Sequence, residues 1–350
     1  MAKLEKTSAL VWLVFALAGK GVALGQIAMP IHVVPVVGNV AGDKAAPWRT
    51  DLEVVNLSAA ASVVGLRFFP EGTANTFDST FAQTLALAPG ETKRVTDVLS
   101  AQVPPLRARR GWLLVADATP IDCRAAERPY PALLMVSSRT YRAGARGGGG
   151  TVQPSWLSLN ATPFPSVLMG STASTAAAAS RRSIGVANIS TSAINVRIRQ
   201  FGAGGRPSGS ADRTVPALSL GMWSLSELKL PQAPEGGRIE VALAEDAGIN
   251  PCTMAQMQRP CADPCDAKVC PQRYGLPGAP AFFAFCAVAD QGSGVLEYTA
   301  PSIDYVGAVR YINEYRQKRC PELAGAEAVV DLGAKLLFLR DPAALRKVGP

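Results

Sequence analysis

The stretch Trp48-Arg-Thr-Asp-Leu-Glu-Val-Val-Asn-Leu-Ser58 decides the architecture, because a degraded copy of it, Ser180-Arg-Arg-Ser-Ile-Gly-Val-Ala-Asn-Ile-Ser190, follows later in the chain. Placing Arg49 on Arg181 brings Val54, Asn56, Ser58, Ala61, Val64, Arg67 and Phe69 onto Val186, Asn188, Ser190, Ala193, Val196, Arg199 and Phe201 without a gap. Ungapped identity of this density points to an internal duplication, and duplication sets the architecture before any motif is considered. A 350-residue chain holding two copies has room for two domains of ordinary size and an added tail.

Each copy has the periodicity of strands. Leu52, Val54 and Asn56 alternate with Asp51, Glu53 and Val55, and Val64, Leu66 and Phe68 alternate with Gly65, Arg67 and Phe69. In the second copy Val196, Ile198 and Gln200 alternate with Arg197, Arg199 and Phe201. A period of two places successive side chains on opposite faces, as a half-buried strand requires. Asn56 and Asn188 stand where a strand gives way to a short polar connection, and an asparagine there can bond its own backbone. Further turns are expected at Pro70–Gly72 and Gly90 in one copy, and at Gly202–Gly205 and Gly221 in the other. Apolar strands follow, Gly111–Ala116 and Ala132–Val136 against Gly237–Ala242 and Ala281–Val288. About seven short strands per copy, with turns at short intervals and no long helical period, indicate an all-β fold of two tandem antiparallel immunoglobulin-like β-sandwiches.

The expected organisation is a signal peptide over residues 1–25, sandwiches over 26–152 and 153–301, and a C-terminal extension over 302–350. Lys3 and Lys6 precede the apolar run Ser8–Ala18, and Ala23-Leu24-Gly25 offers small residues before a cut. That apolar run is too short to span a bilayer, so the mature chain is expected to carry no transmembrane anchor and to be secreted, periplasmic or at the cell surface. Gly144–Gly150 and then Thr151–Pro154 read as the end of the first sandwich and its linker, and Ser171–Ser180 as a loop before the second sandwich. In the tail, Tyr305, Ala308, Val309, Ile312 and Tyr315 recur at helical spacing, and Leu323–Leu339 reads as a further helix or as added strands, so the extension is expected to be partly helical.

All seven cysteines follow the signal. Cys252, Cys261, Cys265 and Cys270 crowd the loop 251–271, whose sparse apolar content leaves crosslinks as the natural means of ordering it in an exported chain. Zinc is the alternative, but the spacing has no CxxC and no histidine nearby, so no metal or other cofactor is expected. Cys286 and Cys320 are the remaining disulfide candidates, and a bridge between them would pin the tail. Seven is an odd number, and isolated Cys123 is the candidate for the unpaired thiol.

Removing three lysines and one glutamate with the signal lowers the net charge from +8 to +6. Arg107-Ala-Arg109-Arg110 and Arg181-Arg182 are the tight basic clusters, and neither is interleaved with aromatics as a nucleic-acid surface would be. His32 is the single histidine, which removes the usual base of serine and cysteine triads. No P-loop, dinucleotide fingerprint, GxSxG or HExxH occurs. Asp51, Glu53, Asp97, Asp117 and Asp290 are scattered singly, and nothing in the sequence selects a pair for acid–base work. Trp112 follows Gly111 and reads as core-facing, whereas Trp156 and Trp223 lie in less regular segments and are the candidates for ligand contact, as sugars would need.

The Trp48–Asn56 opening, the Ser138-Arg-Thr-Tyr141 strand before its glycine run, and the repeat from Arg181 to Asn188 resemble exported bacterial proteins with tandem immunoglobulin-like sandwiches, mostly of unassigned function. The resemblance covers roughly residues 30–300 and implies a fold and an envelope or extracellular location, with no catalytic residues to carry over. It does not extend to the 252–270 insertion or the tail. The expected activity is non-enzymatic: binding, adhesion or surface assembly with an envelope or extracellular protein or polysaccharide, or with a second copy, through sandwich loops or edge strands. A carbohydrate-binding module is the alternative, and a hydrolase the third. Within the repeat, Arg49, Asn56, Arg181 and Asn188 are expected to be structural.

Overall fold

A computed structural model of the chain describes residues 30–41, 47–77, 80–102, 104–120, 132–143, 151–154, 156–157, 166–169, 180–231, 237–244, 282–290, 296–299, 302–303, 327–331 and 336–340. Its first nine strands are β1 (Ile31–Asn39), β2 (Trp48–Asn56), β3 (Ser62–Pro70), β4 (Gln83–Leu87), β5 (Thr92–Val95), β6 (Arg109–Asp117), β7 (Leu134–Arg142), β8 (Thr151–Pro154) and β9 (Trp156–Leu157). They form two antiparallel sheets, β5-β2-β7-β8 and β4-β3-β6-β1-β9. The next nine are β10 (Ser166–Met169), β11 (Ser180–Asn188), β12 (Ile194–Phe201), β13 (Pro207–Val215), β14 (Leu220–Ser224), β15 (Arg238–Leu243), β16 (Phe282–Asp290), β17 (Leu296–Thr299) and β18 (Ser302–Ile303). Their sheets, β14-β11-β16-β17 and β13-β12-β15-β10-β18, repeat the first two strand for strand. β10 precedes the segment expected as the loop before the second unit, and Thr151–Pro154, expected as linker, is instead β8 of the first unit, whose sheets also take β9.

The turn asparagines show how local chemistry enforces the repeat. Asn56 Nδ2 donates to the carbonyls of Ala60 and Ala88, and its Oδ1 accepts the Ser58 N–H. Asn188 Nδ2 donates to Ser192, Val215 and Pro216, and its Oδ1 accepts the Ser190 N–H. Both side chains are fully buried and satisfy backbone groups at a strand end that the ladder cannot reach.

Each pair of sheets encloses a core. In the first unit Leu52, Val54, Leu134 and Val136 of one sheet meet Val34, Val37, Val64, Leu66, Leu113 and Val115 of the other. In the second, Ile184, Val186, Phe282 and Ala284 meet Val196, Ile198, Ile239 and Val241. A third core joins the units. Val33, Val36, Phe69, Trp112, Leu114 and Ala116, on the far face of β4-β3-β6-β1-β9, pack on Ala187, Ile189, Leu220, Phe283, Phe285 and Ala287 of β14-β11-β16-β17. The molecule is therefore a stack of four sheets, numbered here layer 1 (β5-β2-β7-β8), layer 2 (β4-β3-β6-β1-β9), layer 3 (β14-β11-β16-β17) and layer 4 (β13-β12-β15-β10-β18). The central strands of the two middle layers, β1 and β6 in one and β11 and β16 in the other, are buried on both faces over most of their described length.

Close approach in that third core depends on glycine and on one strained leucine. A Cβ on Gly185 would lie 2.0 Å from the Phe285 ring, which sits flat against its backbone. The turn before layer 3 was expected at Gly221, but Gly221 lies inside β14 with the Trp223 ring over it, and the left-handed residue is Leu218 at φ 48°. Its counterpart Gly90 has φ 70°. A leucine in this region costs roughly 1–2 kcal/mol, which its fully buried side chain offsets in the core between the units. The loop after β3 completes the joint: Gly72 N donates to Leu220 O, Asn75 N to Ala217 O, Asn75 Nδ2 to Leu218 O, and Ser219 Oγ to Pro70 O.

In the C-terminal extension the described residues are strands. Ser302–Ile303 joins layer 4, and β19 (Glu327–Asp331) pairs with β20 (Leu336–Arg340) as an antiparallel two-stranded sheet. Of the two readings for Leu323–Leu339, these are added strands. The helical spacing at Tyr305–Tyr315 falls outside the described residues.

Candidate functional site

The outer face of layer 1 carries the densest polar network. Arg49 Nε lies 2.8 Å from Asp97 Oδ2, and its other nitrogen donates to Asn39, whose Nδ2 in turn donates to Asp97 and Ser100. Asp51, buried at the same face, accepts from Arg94 at 2.6 Å, from the Asp97 N–H at 3.0 Å and from Tyr141 Oη at 3.1 Å. Burial, reinforced by the charge of Asp51, holds the Tyr141 phenol above its ordinary value. The hydrogen bond to Asp51 raises the Arg94 guanidinium. Asp51 and Asp97 are thus brought together, but each carboxylate is occupied by arginine and hydrogen-bond donors. A general acid or base needs an open lone pair or proton aimed at substrate, and this network fastens a turn to a sheet.

The other carboxylates stand apart. Asp117 accepts from Ser62, Thr119 and the Ala132 N–H inside the first unit. Glu53 is exposed opposite Arg94 in the β2–β5 register, and Asp290 ends β16 opposite Ser180. His32 is buried, its Nε2 donating to Leu134 O at 2.8 Å, so the only histidine is a structural tie. Among the described residues no group of three or more His, Cys, Asp or Glu side chains is arranged to hold a metal ion.

The residues singled out from sequence are dispersed. Asn56 and Asn188 are the buried turn ties, Arg49 the partner of Asp97, and Arg181 lies in β11 opposite Ala289. Trp156 lies in β9 beside Val33. Trp223 belongs to β14, half-buried over Gly221 and packed on the second core. Cys286 lies in β16, buried, with no sulfur partner among the described residues, and burial pushes its thiol up to about 11. Cys123, Cys252, Cys261, Cys265, Cys270 and Cys320 lie outside the described residues.

A surface that the sequence reading did not single out is the outer face of layer 4. A groove of about 530 Å³ is lined there by Arg197 and Arg199 of β12 and by Pro207, Gly209, Ser210, Ala211 and Asp212 of β13. Arg197 grips Asp212 with two bonds, 2.9 and 3.0 Å, and this pairing lowers the Asp212 carboxyl below its usual range. Arg199 forms an ion pair with Glu240 at 3.7 Å, longer than a hydrogen bond. Arg238 lies over the Phe201 ring at 4.2 Å. The signal in the sequence was the alternation Arg197, Arg199 against Val196, Ile198, which marks an exposed cationic face.

The comparison of the units explains the groove. In the first unit Gly65 takes the place of Arg197, and the Phe81 ring covers it; a Cβ there would lie 2.3 Å from that ring. Phe77 and Phe81 come from the long connection between β3 and β4 and join the core between the units. The connection from β12 to β13 is the tight turn Gly202–Arg206, so among the described residues no ring from that connection covers the groove. No protein-family model, curated protein or solved structure matches the chain.

Proposed function

We propose that the chain is an exported, non-enzymatic binding or assembly protein of the cell envelope or exterior, working through the outer edge of layer 4. The observation that carries this reading is the open edge of β13. Among the described residues β13 has β12 on one side and no strand on the other. It is nine residues long, against five for its counterpart β4, and proline stands only at its first position. Edge strands are normally shortened, bulged or guarded by lysine and proline, because their unpaired N–H and C=O groups recruit other chains. β13 has one irregularity, at Ser208, and the regular run that follows it, beside a groove holding two arginines, is suited to recognition.

Each unit is further proposed to be an immunoglobulin-like sandwich whose first and last strands have changed places. The pairs β2–β5 and β3–β6 match the B–E and C–F neighbours of that fold, whereas β1 lies beside β6 and β7 beside β2. Export is supported by the basic start and short apolar run before residue 25, and crosslinking of the 251–271 loop by the cysteine spacing. The experiment is retention of the intact chain on isolated envelope material, with sedimentation to measure self-association. A strict monomer retained by nothing would overturn the reading.

A further inference from the structure

We infer that the β13 edge takes an extended acidic peptide of a partner protein, added as a further strand with a carboxylate seated on Arg199. This rests on the edge-binding reading above and names its occupant. The groove is lined by four consecutive residues, Gly209 to Asp212, so its floor is the backbone of the edge strand itself. Arg213 donates to the Asp212 carbonyl and to Glu227 O, which closes the edge at that end, and with the irregularity at Ser208 this leaves Gly209–Ala211 as the open run. That length suits a short strand.

The preference follows from the pairings on this face. Arg197 is held by Asp212 in two hydrogen bonds, whereas Arg199 has an ion pair with Glu240 at 3.7 Å that leaves its N–H groups without a hydrogen bond from that carboxylate. Arg199 stands opposite Ser210 in the β12–β13 register. An added strand would place a side chain beside Ser210 on the same face, and the small serine leaves the way to the guanidinium clear. A planar guanidinium with free N–H groups takes a carboxylate in two parallel bonds, and it does so best beside low-dielectric backbone. A sugar polymer fits less well: stacking on sugar rings needs an open aromatic face, and the Phe201 ring is covered by Arg238.

The test uses the intact chain and a fluorescein-labelled peptide of about six alternating threonine and glutamate residues, read by anisotropy. Saturable binding is expected, with a loss of about tenfold or more for Arg199→Ala, partial recovery in Arg199→Lys, and no binding when lysine replaces glutamate in the peptide. Ser210→Glu, which supplies a competing carboxylate beside Arg199, should weaken binding to a similar extent. Both variants should keep the parent's thermal transition. N-methylation of alternate peptide residues should abolish binding in one phase and spare it in the other, because successive N–H groups of an added strand point to opposite sides. Binding unchanged by Arg199→Ala, an equal response to both methylation phases, or binding of polygalacturonate in place of the peptide would overturn the inference. Retention on envelope material in those cases would leave the broader reading standing.

Discussion

Phe69 and Phe201 hold the same place in their two units, and their neighbours differ in the way that separates the inside of the stack from its surface. Phe69 stacks on Trp112 at 4.1 Å, fully buried between layers 2 and 3. Phe201, in the same cross-strand register, lies under the guanidinium of Arg238 at the outer face of layer 4. The same exchange runs across both sheets. Leu114 corresponds to Glu240, Gly65 to Arg197, and on the other pair of layers Phe285 corresponds to Ser137 and Ala287 to Arg139. The copies therefore diverge by position in the stack: faces between units became aromatic and small, and terminal faces became charged, as end repeats of an array require.

The comparison breaks first at Trp112. Trp112→Ala should cost about 3–5 kcal/mol in denaturant unfolding, and Trp112→Arg more, since it puts the second unit's charged residue into a fully buried apolar core. If Trp112→Arg melts like the parent, the core between the units contributes nothing and the layered arrangement is wrong. Next come the turn asparagines: Asn56→Ala and Asn188→Ala should each lose about 1–3 kcal/mol, because each leaves backbone carbonyls and an N–H at a strand end unpaired. A large effect at one and none at the other would end the claim that they are equivalent. Arg238→Trp should leave stability within about 1 kcal/mol, because a ring can lie on half-buried Phe201 as the guanidinium does, while increasing self-association in sedimentation by turning the outer face apolar. Asp212→Asn should matter least, within about 0.5 kcal/mol for so exposed a pair. Its carboxyl is lowered in the folded chain, so its contribution is present above the ordinary carboxylate range and fades as pH falls through the lowered value. The variant should flatten that acid limb of the stability profile.

Much of this was readable in the residues. The duplication, the antiparallel strands and the structural role of Asn56 and Asn188 follow from alternation and from what an asparagine does at a strand end. The four-layer stack was present in the sequence but disguised. Gly111–Ala116 and Phe282–Val288 are apolar without interruption, and in an antiparallel sheet that means both faces are covered, whereas Leu52–Asn56 alternates because its outer face meets water. The strands β8, β9 and β18 left no trace, being too short to establish a period. The turn at Leu218 was misplaced onto Gly221 because a leucine with positive φ has no local signature; the packing between the units holds it there. The groove escaped because it arises from what the second unit lacks, the loop bearing Phe77 and Phe81.

The joint between layers 2 and 3 also sets a timetable for synthesis. Val33, Val36, Phe69 and Trp112 belong to the half of the chain that emerges first, while Phe283, Phe285 and Ala287, which cover them, come near the end. A growing chain whose first unit has already folded carries a bare aromatic face until the last strands of the second arrive.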